Sequence, residues 1–256
     1  MIPPIPTIPT IPLLGLDFAD LTTDQAAAAI AARAADADFR YVVTPNADHL
    51  ARLARDAALR RIYDAAWLRL LDSRVIAGLA RARGLAAPAV ATGSDLTACL
   101  LRDHLRPGER ITIVGLNPDW LPALARRAGL AAPWHYDPPM GFAEDPAALA
   151  EAVAFVVAHP ARFVFLAVGS PRQEVLAAAI AATGEARGTA LCIGASLAFL
   201  AGAERRAPDW MRRHGLEWAF RLAADPRRKA RRYLVDSPRV LPMLWREAWA
   251  RSSLQP

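Results

Sequence analysis

The chain has 256 residues, of which 54% are hydrophobic and 22% charged, and its formal net charge is +6. This length suits one large domain, alone or with an appendage, and the charged fraction is ordinary for a globular protein. Cys99 and Cys192 lie in apolar runs, which excludes a disulfide framework and favours a reducing compartment. The proline-rich start of the sequence does not resemble a secretory signal peptide, and no run of 18 uninterrupted apolar residues is present, so no membrane-spanning helix is predicted.

Short β-rich runs alternate with alanine-rich helical stretches along most of the chain. A proline-rich leader, predicted to be extended, comes first at residues 1–12. This alternation predicts an α/β fold, with a Rossmann-like, mostly parallel sheet of about six strands and helices on both faces, over residues 13–202. The predicted strands are 13–18, 41–44, 67–71, 110–114, 163–168 and 190–193. The predicted helices are 23–35, 47–60, 73–83, 96–105, 118–128, 146–158 and 173–182.

Residues 203–256 differ from this core in charge and in pattern. Strand signals stop near Ala195, and residues 205–251 carry 13 Lys or Arg against 5 Asp or Glu, a net of +8. Several tryptophans lie among these charges. We therefore predict a basic helical appendage that binds a diphosphate, a phospholipid surface or nucleic acid, with a merely solvated basic helix pair as the alternative.

Ligands of open α/β sheets bind beyond the carboxyl ends of the strands, so the loops that follow strands are the candidate site. Thr44 ends one strand, and Asn46 precedes the next helix, where it can cap the helix or contact a ligand. Asp72 follows another apolar strand and begins a helix. Its carboxylate can serve as a helix cap or as a general base.

Three later strand-end residues are candidate substrate-binding positions. Gly115 lies where a ligand can approach the backbone closely, and Gln173 can satisfy free amides at a helix start or contact a ligand. Gly194 leaves room for a flat or bulky ligand. The chain lacks both G-x-G-x-x-G and the P-loop pattern, which counts against a nucleotide-cofactor oxidoreductase. Its five histidines show no metal-ligand spacing.

Short motifs follow one another in a fixed order and spacing, and together they are specific although each alone is weak. Through these motifs the chain resembles the WecG/TagA/CpsF family of bacterial glycosyltransferases from about residue 13 to residue 239. The motifs are Thr44-Pro45-Asn46-Ala47-Asp48-His49, Asp72, Thr92-Gly93-Ser94-Asp95-Leu96, Asp137-Pro138-Pro139-Met140-Gly141-Phe142, Gly169-Ser170-Pro171-Arg172-Gln173-Glu174, Gly194-Ala195-Ser196-Leu197-Ala198-Phe199-Leu200-Ala201-Gly202, Arg206-Ala207-Pro208-Asp209-Trp210, Gly215-Leu216-Glu217-Trp218 and Arg221-Leu222-Ala223-Ala224-Asp225-Pro226-Arg227-Arg228.

The resemblance implies transfer of a sugar from a UDP-sugar to a lipid-diphosphate-linked saccharide in cell-surface polysaccharide synthesis. The best-known members move N-acetylmannosamine onto N-acetylglucosaminyl-diphospho-undecaprenol, with inversion and without a metal. No cofactor is predicted. The chain has Ser73 where the family commonly has glycine. It has Val90-Ala91 where the family commonly has Arg-Val, which removes a cation near the predicted site.

An inverting transfer needs a base for the acceptor hydroxyl and cations for the departing diphosphate. The resemblance assigns the base to Asp72, with Thr44 and Asn46 in the same cleft. Without a metal, arginines must stabilise the diphosphate, and their forked donors suit phosphate oxygens. The arginines that we assign to this task are Arg221, Arg228 and Arg231, and the remaining predicted substrate-binding residues are Gly115, Gln173 and Gly194.

The end of the appendage has the apolar and aromatic character of a helix that lies in a membrane interface. We predict peripheral attachment to the cytoplasmic face of the plasma membrane, with docking onto the core or self-association as a homo-oligomer left open. A nucleic-acid-binding protein is the weaker alternative, because the cations are confined to one end of the chain; no nucleic-acid partner is predicted. The predicted interfacial residues are Leu241, Met243, Leu244, Trp245 and Trp249.

Overall fold

The computed structural model describes residues 8–253. The fold begins with a hairpin of strands β1 (Thr10–Leu13) and β2 (Leu16–Ala19), which pair antiparallel. The single strand predicted at 13–18 is therefore wrong. Leu14 and Gly15 both have positive φ, 51° and 78°, and two such residues form the tight turn that reverses the chain. Residues 1–7 of the predicted leader lie outside the described residues, and its last residues belong to β1.

A six-stranded sheet forms the centre of the molecule, and all its neighbouring strands are parallel. This confirms the predicted fold class. Strand β6 was missed because three residues between prolines are too few to show a period. The strands are β3 (Arg40–Val43), β4 (Leu68–Arg69), β5 (Thr112–Val114), β6 (Trp134–Tyr136), β7 (Ala161–Leu166) and β8 (Gly188–Cys192), in the spatial order β4-β3-β8-β7-β5-β6.

Nine α-helices of the described chain precede the appendage, together with a π-helical turn at Leu100–His104 and a 3-10 turn at Pro118–Trp120. Where one helix was predicted at 47–60 there are two, because Asp56 accepts a hydrogen bond from the Leu59 amide and begins a new helix. The helices are α1 (Thr23–Ala31), α2 (Ala47–Leu53), α3 (Ala57–Asp64), α4 (Arg74–Ala82), α5 (Gly93–Cys99), α6 (Leu121–Ala128), α7 (Pro146–Ala158), α8 (Arg172–Thr183) and α9 (Ser196–Ala201).

Two hydrophobic cores lie on opposite faces of the sheet, because successive side chains of a strand point to opposite sides. Val43 packs into one core with residues of α3, α4 and α8, whereas Val42 packs into the other with residues of α1 and α5. Strands β5, β7 and β8 are buried along their whole length, so they read as mostly apolar runs, whereas β6 at the edge has no buried residue. This layering brings the carboxyl ends of β4, β3 and β8 side by side at one edge.

After α9 the described chain is helical, with α10 (Asp209–Arg213), α11 (Glu217–Ala224), α12 (Pro226–Ala230) and α13 (Val240–Ser252). The last helix docks on the core, since Val240 and Leu244 are both only 2% exposed. The Leu14 amide donates a hydrogen bond to Glu247 Oε2 at 2.7 Å, which ties α13 to the hairpin. The division of the chain at residue 203 remains a prediction.

Candidate active site

The loops after β3 and β4 meet at the carboxyl edge of the sheet, where the strands are in register. The Asp72 amide donates to the Pro45 carbonyl at 3.0 Å, which joins the two loops. Asn46 caps α2 by accepting hydrogen bonds from the amides of Asp48 and His49. Thr44 is buried and donates to the Cys192 carbonyl at 3.3 Å, at the end of β8. The structure therefore brings Thr44, Asn46 and Asp72 together.

Asp72 has the electrostatic character that the base assignment requires. Burial raises the pKa of its carboxyl to about 7; the positive charge of Arg221 opposes this shift and the negative charge of Glu217 adds to it. Its Oδ2 atom accepts a hydrogen bond from the Gly93 amide at 3.3 Å. A carboxyl that titrates near neutrality can take a proton from a hydroxyl and release it again.

Asp72 lines a cavity of about 570 Å³ between the core and the appendage. The walls combine polar groups with a large apolar surface. The polar and charged residues from the core are Asn46, Asp72, Ser73, Arg74, Thr92 and Ser94, and those from the appendage include Arg212, Glu217, Arg221 and Arg232. The appendage thus supplies most of the cations.

The three arginines predicted from the sequence are not brought together. Arg221 lines the cavity, donates to Glu217 and lies over the Phe199 ring at 4.9 Å. Arg228 and Arg231 lie outside the lining, and their side chains are 87% and 86% exposed. In this arrangement only Arg221 of the three is positioned to meet a ligand inside the cavity, and the roles of the other two remain predictions.

Two other appendage arginines, which the sequence reasoning passed over, face the same cavity. The Nε atom of Arg232 lies 3.3 Å from Asp48 Oδ2, and Arg212 Nη1 donates to Asp95 Oδ1 at 3.1 Å. The signal available in the sequence was their presence in the same basic segment as Arg221. Helical periodicity does not show which arginines of this segment lie on one face, because one helix ends before Asp225 and another begins after it.

The three predicted substrate-binding residues of the core, Gly115, Gln173 and Gly194, lie outside the lining of the cavity. Gly115 has a φ of 85°, and a Cβ there would meet Val168 Cγ1 at 2.7 Å, so close backbone packing already accounts for the glycine. Gln173 is buried, and its Oε1 atom accepts a hydrogen bond from the Gly194 amide at 2.9 Å. Substrate contact by these residues remains a prediction.

The model of the glycosyl transferase WecG/TagA/CpsF family matches residues 11–254. The chain belongs to this family. It is therefore a glycosyltransferase of cell-surface polysaccharide synthesis, and the oxidoreductase and nucleic-acid alternatives are set aside. Within residues 8–253, no helix combines the length and the apolar character that crossing a bilayer requires.

Proposed function

We propose that this glycosyltransferase transfers a hexose, such as N-acetylmannosamine, with inversion from a UDP-sugar to a lipid-diphosphate-linked saccharide. The observation that carries the proposal is that Asp72 lines the same cavity as basic residues of the appendage. Burial raises the pKa of its carboxyl to about 7. One wall offers a proton acceptor and the other offers cations, which are the two groups that an inverting transfer needs.

In the chemical step, the acceptor hydroxyl oxygen bonds to the anomeric carbon of the donor sugar while the bond from that carbon to the UDP oxygen breaks. The hydroxyl proton passes to the ionised Asp72 carboxylate. The Gly93 amide donates to Oδ2, which holds the carboxylate in the cavity wall and favours its ionised form. Asn46 lies in the same wall, where its amide can orient a sugar hydroxyl.

The negative charge that develops on the UDP diphosphate requires cationic partners in the cavity. Arg221 donates one hydrogen bond to Glu217, which leaves other donors of its guanidinium free for phosphate oxygens. Arg212 and Arg232 line the same cavity and add positive charge. The sequence hypothesis also assigns Arg228 and Arg231 to the diphosphate.

Helix α13 supports attachment to the cytoplasmic face of the membrane. Leu241, Trp245 and Trp249 are spaced four residues apart and form an exposed stripe, with the two tryptophans 61% and 76% exposed. Tryptophan suits a membrane interface because its ring is apolar and its N–H is polar. The prediction is wrong for Leu244, which is buried in the core on a neighbouring face of the helix, and Met243 packs against the same core.

A panel of UDP-sugars assayed with N-acetylglucosaminyl-diphospho-undecaprenol tests the proposal. We expect UDP release that depends on the acceptor for one donor of the panel, and a product whose anomeric configuration, read by NMR, is opposite to that of the donor. Retention of configuration, or the absence of acceptor-dependent UDP release from every donor, would contradict the proposal.

A further inference from the structure

One wall of the active-site cavity is apolar, although a sugar nucleotide and an acceptor saccharide are polar. Val75, Ile76 and Leu79 of α4 line it from the core. Leu234, Val240 and Leu241 line it from the appendage. These six residues are called the apolar arm below. Polar substrates alone do not account for so much hydrocarbon in a catalytic cavity, because desolvating their hydroxyl groups against it is unfavourable.

The apolar arm leads away from the catalytic carboxylate. Helix α4 begins just after Asp72, and Ser73 caps it by accepting a hydrogen bond from the Ile76 amide. With a rise of 1.5 Å per residue, Leu79 lies about 7–8 Å along the helix axis from Arg74, the first residue of α4. The three α4 residues of the arm therefore mark increasing distances from the proposed base.

Positively charged residues and exposed apolar residues also line this cavity. Arg74 and Arg232 line the cavity, and the Nε atom of Arg232 is paired with Asp48, which leaves its terminal guanidinium nitrogens for a ligand. At the surface, Leu234, Leu241 and Val75 of the arm are exposed. The cavity thus combines a proton acceptor, positive charge and an apolar wall that reaches the surface beside the appendage.

A lipid-diphosphate-linked acceptor carries the matching groups, which are a hydroxyl, a diphosphate and a hydrocarbon chain. We propose that the apolar arm binds the first isoprenoid units of the acceptor, so that the enzyme recognises the lipid inside the cavity as well as at the membrane. This inference rests on the proposed function, because it places the lipid of that acceptor. It assigns Val75 and Leu234 to lipid binding.

Calorimetric binding of two water-soluble probes, farnesyl diphosphate and inorganic diphosphate, tests this assignment without turnover. Wild-type protein should bind farnesyl diphosphate at least about tenfold more tightly, because burial of even a few methylene groups gives that factor. Val75→Asn and Leu234→Asn should each remove most of this preference and leave the affinity for inorganic diphosphate unchanged. Val235→Asn is the matched control, since Val235 is 49% exposed beside Leu234, at 60%, but does not line the cavity.

Equal affinity of the wild-type protein for the two probes would overturn the inference, and so would equal effects of Leu234→Asn and Val235→Asn. Dihexanoyl phosphatidylglycerol serves as a third probe. If it bound as tightly as farnesyl diphosphate and with the same sensitivity to Val75→Asn, the arm would be a general lipid site and not an isoprenoid site. Loss of self-association in both arm variants, measured by sedimentation velocity, would identify a second copy as the occupant and also overturn the proposal.

The same variants separate this inference from the proposed function. With the polyprenyl-linked acceptor in detergent micelles, Val75→Asn should raise the acceptor KM about tenfold and leave the donor KM unchanged. If the wild-type enzyme transferred no sugar from any donor while the probe preference remained, the proposed reaction would fail and the lipid site would stand. Active transfer with an unchanged acceptor KM in both variants would remove the lipid site and leave the reaction.

Discussion

The carboxylate of Asp72 accepts a hydrogen bond from the Gly93 amide, with 3.3 Å between Oδ2 and the nitrogen. This contact joins the loop after β4 to the first residue of α5, so that a strand end and a helix start together set the position of the proposed base. The Thr44 hydroxyl lies beside the same glycine, because a Cβ on Gly93 would be 3.0 Å from Thr44 Oγ1.

Replacing Asp72 by Asn retains an oxygen that can accept from Gly93 but removes the proton acceptor. Turnover should fall by roughly 10²–10⁴-fold, the usual contribution of a general base. UDP release at saturating donor measures it. Asp119→Asn is the control, since Asp119 is an exposed carboxylate outside the cavity lining. Full activity of Asp72→Asn in a folded protein would reduce Asp72 to a structural role.

The rate should depend on pH through Asp72. Only the ionised carboxylate accepts a proton, and its pKa is raised to about 7. The value of kcat/KM should therefore increase with pH up to about 7 and level off above it. The residual activity of Asp72→Asn should lack this rise. A rise of the same midpoint in the variant would assign the titration to another group.

Stability should change with pH in the opposite direction. The folded-state pKa of Asp72, about 7, lies above its ordinary value of 3.8, so the folded protein keeps a proton that the unfolded chain has lost. As the pH rises from about 4 to about 7, the free energy of unfolding therefore falls. The total decrease that Asp72 causes is about 2–4 kcal/mol. In urea unfolding, Asp72→Asn should gain stability relative to wild type over this window. A constant difference between the two proteins would contradict the raised pKa.

Arg221→Ala should lower kcat by about 10²-fold, the scale of losing one donor that stabilises developing charge. Arg227→Ala removes the same charge from an exposed position outside the cavity lining and should leave kcat nearly unchanged. Both variants are compared with wild type in the UDP-release assay. Equal losses in the two would point to overall charge instead of a placed guanidinium, and Arg228→Ala and Arg231→Ala in the same assay decide the sequence assignment.

Replacing both Trp245 and Trp249 by Ser should weaken binding to phosphatidylglycerol liposomes about tenfold or more, because the apolar stripe of α13 loses its two largest side chains. Flotation of liposomes measures the bound fraction. Met140→Ser removes a side chain that is 88% exposed outside the appendage and should have no effect. Unchanged liposome binding of the double variant would contradict attachment through α13.

The helices and strands that could be predicted from the sequence are those whose own residues carry a clear pattern of apolar positions or capping residues. Helix α7 was predicted with its observed bounds, and the structure shows the local signals that fix its start: Asp145 caps it and a proline occupies its first turn. The hairpin of β1 and β2 was missed because one residue of its turn is Leu14. Leucine rarely adopts a positive φ, so its presence does not predict a turn.

The position of Asp72 followed from the sequence by itself, because parallel strands end at one edge and a residue directly after a buried strand must lie there. Its pKa did not follow, since it depends on burial and on the charges of Arg221 and Glu217, which are distant in sequence. The choice of arginines was likewise decided only by the tertiary structure. A new helix starts at Pro226, with Asp225 as its N-cap, and a π-helical turn at Arg231–Asp236 changes the spacing, so helical periodicity does not carry from Arg221 to Arg232. Local sequence patterns show which residues end the strands and so lie at the carboxyl edge of the sheet. The electrostatic potential inside the cavity depends on charged groups that are distant in sequence and that only tertiary packing brings together.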